Sequence, residues 1–252
     1  PPDNNAKDRH IETNNNVFKD IEDAAWAWHE ITALYNTGIV NGKDKDRFAP
    51  NDSITREEFV KILVCALKLP VNDEESGFDD VDSGEWYSPY ITQGIKAGLI
   101  RGVSNNVFGV GLPIIRQDMV VMIQRASADY SFFTSGGTDT EAFTDVDSIS
   151  EYAIEAVMTL RAAGIVNGMS DGRFAPFEDV SRAQAAVIVY RLISKAAKAK
   201  PVTAPSDLLP STSIEPEEAP DDTMPGLGIE NEQRNYDFED NDFEVDSILE
   251  SD

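Results

Sequence analysis

The chain has 252 residues, 41% of them hydrophobic, and a formal net charge of −25 from 46 acids against 21 bases. That composition supports a folded core. It excludes nucleic acid as a partner, because no basic cluster is present to neutralise phosphates, and it excludes membrane insertion, because no apolar run reaches about 18 residues.

The charge is uneven along the chain. Residues 201–252 hold 16 acids against the single base Arg234, while residues 1–200 hold 30 acids against 20 bases. This split predicts a folded body followed by a disordered, solvated acidic tail. The opening PPDNNAKDRH has no apolar stretch of the kind that marks an export signal, so residues 1–16 read as a polar leader.

Three segments then align almost without gaps: 17–70, 78–130 and 143–195. Phe18, Phe78 and Phe143 open them, followed by Trp26, Trp86 and Tyr152, then Gly38, Gly98 and Gly164, then Phe48, Phe108 and Phe174, then Arg56, Arg116 and Arg182. A repeat at this spacing is one supersecondary unit used three times. In the first unit AWAWHEITALYNTG carries Ala27, Ile31 and Leu34 at helical spacing and stops at Gly38, a helix end that needs positive φ. A loop follows with a second glycine (Gly42, Gly102 or Gly168) and a buried-looking aromatic. The next helix carries matched apolar stripes, Phe59, Ile62, Leu63 and Ala66 in the first unit, with Met119 and Ala185 equivalent to Phe59 in the others.

Two short helices in about 50 residues bury too little surface to be stable alone. The fold class is therefore all-α, three helix–loop–helix repeats closed into a pseudo-three-fold bundle, with Phe59, Met119 and Ala185 at the centre. Cys65, in KILVCALKL, reads as a small core residue and cannot form an internal disulfide. Residues 69–77 and 131–142 are linkers. Residues 196–252 form a proline-rich acidic tail whose end, YDFEDNDFEVDSILESD, is either a solubilising terminus or a segment that orders on a protein partner.

The second helices start with readable caps. Thr55-Arg56-Glu57-Glu58 and Ser181-Arg182-Ala183-Gln184 are capping boxes, and Ile115-Arg116-Gln117-Asp118 keeps the arginine without the hydroxyl. An arginine at the first helical position opposes the helix dipole, so its removal should leave folding intact. Beside free backbone amides it makes an anion site that can grip a carboxylate. A structural reading stands equal to this one: each arginine pairs with an acid of a neighbouring unit, such as Asp20, Asp80 or Asp145.

The units FKDI…W…GIVNG…FAPNDSITREEFV, FDDV…WY…GLIRG…FGVGLPIIRQDMV and FTDV…Y…GIVNG…FAPFEDVSRAQAAV together resemble three S-layer homology domains over residues 17–195. The resemblance implies a three-repeat spindle whose inter-repeat grooves bind anionic secondary cell wall polysaccharides of Gram-positive bacteria, often through a pyruvylated sugar. It implies a non-catalytic module located outside the cell, in the wall or S-layer. It carries ligand binding onto Arg56, Arg116 and Arg182, with Trp26, Trp86 and Tyr152 as sugar-stacking or groove-wall aromatics and Asp20, Asp80, Asp145, Gly42, Gly102 and Gly168 around them. The second unit departs most, with IIRQD at its helix start and Val110-Gly111-Leu112-Pro113 in its loop, so Arg116 is expected to matter least.

Competing classes read less well. No carboxylate pair or nucleophile motif suggests an enzyme, and His10 and His29 have no counterparts in the other units. A calcium loop at Asp44-Lys45-Asp46 fails because Ala49 stands where the EF-hand glycine is required. No cofactor or metal is expected. The live alternative is a surface lattice or protein–protein assembly module.

Overall fold

A computed structural model of the chain describes residues 17–72, 74–127 and 142–198. The leader, nearly all of the 131–142 linker and the acidic tail with its candidate partner segment lie outside the described residues. Six helices carry the fold: α1 (Trp28–Asn36), α2 (Arg56–Ala66), α3 (Ser88–Lys96), α4 (Arg116–Ala126), α5 (Glu151–Ala162) and α6 (Arg182–Ala196). Among the described residues there are no strands, only three isolated antiparallel bridges.

Helix ends follow the chemistry of their residues. Gly38, Gly98 and Gly164 have φ of 73°, 69° and 63°. Each closes its helix with the same pair of bonds, as Gly38 N–H donates to Tyr35 O and Ile39 N–H to Leu34 O. Both capping boxes form, on Thr55 with Glu58 and on Ser181 with Gln184, while Ile115 supplies no side-chain cap to α4. The first unit departs from expectation before α1. Ile21–Ala27 is a 3-10 segment interrupted at Ala24, and Trp26 lies on it rather than on an α-helix. In a 3-10 turn residues three apart share a face, so Ile21, Ala24 and Ala27 all reach the core and Trp26 points out.

The α-helices pair mainly between repeats. The principal helix pairs are α2 with α3, α4 with α5, and α6 with α1, each joining the second helix of one repeat to the first helix of the next. The last pair returns the end of the body to its beginning. The second helices also meet, α2 packing on both α4 and α6, and Phe59, Met119 and Ala185 are fully buried. Cys65 is only half-buried, at the edge of the core.

Backbone bonds close the same circuit. Ile54 N–H donates to Val180 O (2.9 Å), Val180 N–H to Ile114 O (3.0 Å), and Ile114 N–H to Ile54 O (3.0 Å), and all three side chains are wholly buried. Every donor in this ring is used by a different repeat. Because buried amides must be paired, removing any one repeat would orphan groups in the other two.

Within each repeat the F-x-D aspartate fastens the opening segment to the loop. Asp20 accepts from the Phe48 and Ala49 amides, Asp145 from those of Phe174 and Ala175, and Asp80 from those of Phe108, Gly109 and Val110. These bonds hold the second loop residue at positive φ, 58° at Ala49 and 59° at Ala175. Burial acts to raise the Asp80 pKa, but the amides of Val110, Phe108 and Gly109 outweigh it and leave the carboxyl below its ordinary value. A depressed folded-state pKa contributes stability that is present above the unfolded value, near ~4, and is lost as pH falls through the folded one. Asp80→Asn is therefore expected to cost about 1–2 kcal/mol at pH 7. In paired thermal melts the gap from the parent should narrow by pH 3; a gap of constant size would show that the charge plays no part.

Candidate functional site

The three arginines do not project from exposed helix ends. Arg56, Arg116 and Arg182 are 4%, 4% and 6% exposed, each inserted into the loop of the next repeat. Arg56 Nε donates to Phe108 O (3.1 Å) and Nη2 to Arg101 O (3.1 Å). Arg116 repeats this with Phe174 O (2.8 Å) and Asn167 O (3.4 Å), and Arg182 with Phe48 O and Asn41 O (both 2.9 Å). Each guanidinium also lies over the loop phenylalanine, 5.2 Å from the Phe108 and Phe174 centroids and 4.8 Å from that of Phe48. Burial lowers the pKa of Arg116 and Arg182 from the usual arginine value, yet a guanidinium stays charged in a protein.

This geometry corrects two expectations. The arginine is a buried tie between repeats, so its removal is expected to cost stability, which the dipole argument alone does not suggest. The helix-start amides are not free either. The Arg56, Arg116 and Arg182 N–H groups donate to Leu112, Glu178 and Asp52 carbonyls of the neighbouring loops, and the Gln117 and Ala183 N–H groups to Pro176 and Pro50. At these positions an anion would therefore be met chiefly by side chains.

The acids that answer the arginines are not the F-x-D aspartates, which are engaged with amides. They stand two residues beyond the arginine of the next repeat. Arg56 Nη1 pairs with Asp118 (2.8 Å), and Arg182 Nη1 lies 3.5 Å from Glu58, which Lys43 also contacts. The equivalent partner position for Arg116 is Gln184, and among the described residues Arg116 has no ion pair. The sequence assigned Glu58 and Gln184 a capping role only. Their second role is visible only once the repeats are joined head to tail.

An aromatic of the third repeat completes the Arg56 joint. Tyr152, at the start of α5, donates from its hydroxyl to Asp118 Oδ1 (2.6 Å) and accepts from Gln117 Nε2 (2.8 Å), which also bonds the Ser150 hydroxyl. The covered hydroxyl and the adjacent Asp118 carboxylate raise the Tyr152 pKa, while the ring remains half exposed. One joint therefore takes Arg56 from repeat one, Asp118 from repeat two and Tyr152 from repeat three. Arg182 meets Glu58 at a second joint, and Arg116 and Gln184 hold the corresponding positions of a third; Trp86 and Trp26 align in sequence with Tyr152. Trp26 is 60% exposed on the 3-10 segment that packs against α6, and Trp86 is 47% exposed with the Lys61 ammonium 5.3 Å from its ring. Phe177, 61% exposed, was not singled out by sequence; it occupies the loop position of Asn51 and Gly111.

Gly42, Gly102 and Gly168 have a packing reason to be glycine. A Cβ at Gly42 would lie 2.6 Å from the Phe18 ring and one at Gly168 2.9 Å from the Phe143 ring. The loop and the opening phenylalanine approach too closely for any side chain.

The chain belongs to the S-layer homology domain family, whose members match it at residues 17–60, 77–120 and 142–186, one match in each repeat. The family is one of non-catalytic anchoring domains associated with the cell wall or S-layer at the cell surface. The chain is 34% identical over 179 residues to an amylopullulanase of Thermoanaerobacterium thermosulfurigenes, covering 71% of this chain and 10% of that protein. It is 30% identical over 195 residues to an S-layer protein of Bacillus thuringiensis subsp. finitimus, covering 74% of this chain and 23% of that protein. With the S-layer protein sap of Bacillus anthracis the identity is 30% over 177 residues, 69% of this chain and 21% of the relative. The chain thus corresponds to a small part of relatives that include both enzymes and lattice proteins.

Proposed function

We propose that the chain is a non-catalytic module that fastens a surface protein to the wall by binding an anionic, pyruvylated secondary cell wall polysaccharide at the joints between repeats. The observation that carries this reading is the composition of a joint: a buried guanidinium, a polar side chain two residues into the next helix and a half-exposed aromatic, drawn from three repeats. A saccharide can stack its apolar face on Trp26, Trp86 or Tyr152 while an acidic substituent reaches toward Arg116, Arg182 or Arg56. The F-x-D aspartates and loop glycines support the joint without touching the sugar. The body is itself acidic, so the attraction is short-ranged and local.

Retention on purified sacculi tests the reading. The protein should bind intact sacculi and lose binding when the non-peptidoglycan polymer is stripped. Trp26→Ala and Trp86→Ala, both at exposed rings, should weaken retention about fivefold each, with melting unchanged. Retention that survives stripping would remove the polymer from the account and favour a lattice or protein–protein role.

A further inference from the structure

The loop of the second repeat carries a surface that the other two lack. Where the first repeat has Lys43, Arg47 and Asp52, and the third has Met169, Arg173 and Glu178, the second has Val103, Val107 and Leu112. Val103 and Leu112 are 51% and 50% exposed. They lie side by side, since a Cβ on Gly109 would come within 3.1 Å of Val103 Cγ1 and 3.2 Å of Leu112 Cδ1. The same loop has the exposed Arg101 where the other repeats have Asn41 and Asn167. In the third repeat Arg191 of α6 donates to the Ile165 carbonyl. Its counterpart in the second, the half-buried Arg125 of α4, stands close enough to Arg101 for the two charges to repel. Burial first, then the Arg101 charge, lowers the Arg125 pKa. Neither guanidinium has a hydrogen bond or ion pair to a described residue. Asp118, the acid that acts on Arg125, gives its oxygens to Arg56 and Tyr152. In a chain of net charge −25, two neighbouring cations without an acid, next to exposed aliphatics, suit a segment that joins a carboxylate to a large apolar side chain.

The third repeat presents such a segment. Phe177 is 61% exposed, and the carboxylate of Glu178 beside it is half exposed, lying 3.5 Å from Arg173, which Asp171 holds more closely at 2.7 Å. The backbone on either side of Phe177 is fixed, because the Pro176 carbonyl accepts from Gln117 N–H and the Glu178 carbonyl from Arg116 N–H. The second-repeat loop is fixed in the same way, by Arg56 N–H on the Leu112 carbonyl and Gly111 N–H on the Glu57 carboxylate. Two surfaces that are already ordered lose little freedom when they meet.

We propose that the third-repeat loop of one copy docks on the second-repeat loop of another, with the Phe177 ring over Val103 and Leu112 and the Glu178 carboxylate on Arg101 and Arg125. The two halves of this contact are different surfaces, so each copy keeps one half free and copies join head to tail without closing at a dimer. The helix-start arginine beneath the loop takes no part, since Arg56 is spent on Asp118 and two carbonyls. A contact this small is of the weak, transient class, and it counts where copies are held side by side on one surface. It does not depend on what that surface is.

Sedimentation equilibrium of the full chain tests the contact at about 0.1–1 mM, the range in which a small interface is populated. The weight-average mass of the parent should rise with concentration and should not level off at a dimer. Arg101→Glu removes the receiving half and Phe177→Ser the inserting half. Both side chains are exposed, so melting should not change, and each variant alone should associate at least about tenfold more weakly than the parent. An equimolar mixture of the two variants should regain association, because each retains the half the other lacks, and should stop at a one-to-one dimer. A monomeric parent, a parent that stops at a dimer, variants that associate as the parent does, or a mixture no better than its components would each overturn the proposal.

Discussion

Replacing Arg56 by alanine is expected to destabilise the body by about 3–5 kcal/mol, because it breaks a buried ion pair and leaves its partners behind. The guanidinium satisfies the Phe108 and Arg101 carbonyls and Asp118, and its plane covers the Phe108 ring. Alanine leaves two carbonyls without their donor and Asp118 with Tyr152 and no positive charge. For a body of this size the loss corresponds to a drop in melting temperature of roughly 10 °C or more. Lysine should recover only part of it, since an ammonium cannot reproduce the planar fork that reaches two carbonyls and an acid at once. Arg47→Ala is the appropriate control, because Arg47 is exposed and pairs only with exposed acids. An Arg56→Ala protein that melts within two degrees or so of the parent would show that the joint is not a structural tie.

Gly102→Ala should be comparably severe, through repulsion in place of lost attraction. A Cβ at this position would overlap the Val107 carbonyl oxygen, lie 2.5 Å from the Ser104 carbonyl oxygen and 2.6 Å from the Phe78 ring. Two of the three obstacles are backbone, so no rotamer change relieves them. The loop must open away from Phe78, which also disturbs the approach of Asp80 to Phe108. The expected cost is about 3 kcal/mol, the upper part of the range for overpacking, read as a shifted denaturation midpoint with an unchanged slope. Gly77→Ala provides the contrast, since a Cβ there meets nothing within 4 Å and only its φ of 83° opposes the change. Gly102 itself is not at positive φ, so equal effects of the two substitutions would mean that the loop yields cheaply and that close approach does not explain this glycine.

Much of this architecture was legible because it is local. The helix stops at Gly38, Gly98 and Gly164, the boxes at Thr55 and Ser181 and the stripes through Phe59, Met119 and Ala185 each depend on residues within one turn or one helix face, where sequence spacing maps directly onto space. Partnership between helices is not local. Nothing in the α2 stripe states that its closest neighbour is α3, because the same apolar face would suit α1. The arginine was recognisable from its recurrence, but its burial was not. Helix-dipole reasoning treats the first turn as solvent-exposed, whereas here a neighbouring loop covers it. Glu58, Asp118 and Gln184 were present in the motif, two residues after each arginine. Their link to the arginine of a different repeat appears only when the ring is closed.

The pairing of α6 with α1 also sets an order of events for the newly made chain. Trp28 and Arg182 begin helices that must find each other across about 150 intervening residues, so the last joint forms only after the third repeat has emerged, and a contact of such long range is slow to close. Until then α1 presents an unmatched apolar face, and the loop that will receive Arg182 has open carbonyls. A chain halted before α6 is therefore not a smaller working anchor. It is an unfinished ring, with the face of α1 that α6 covers in the complete body left open to solvent.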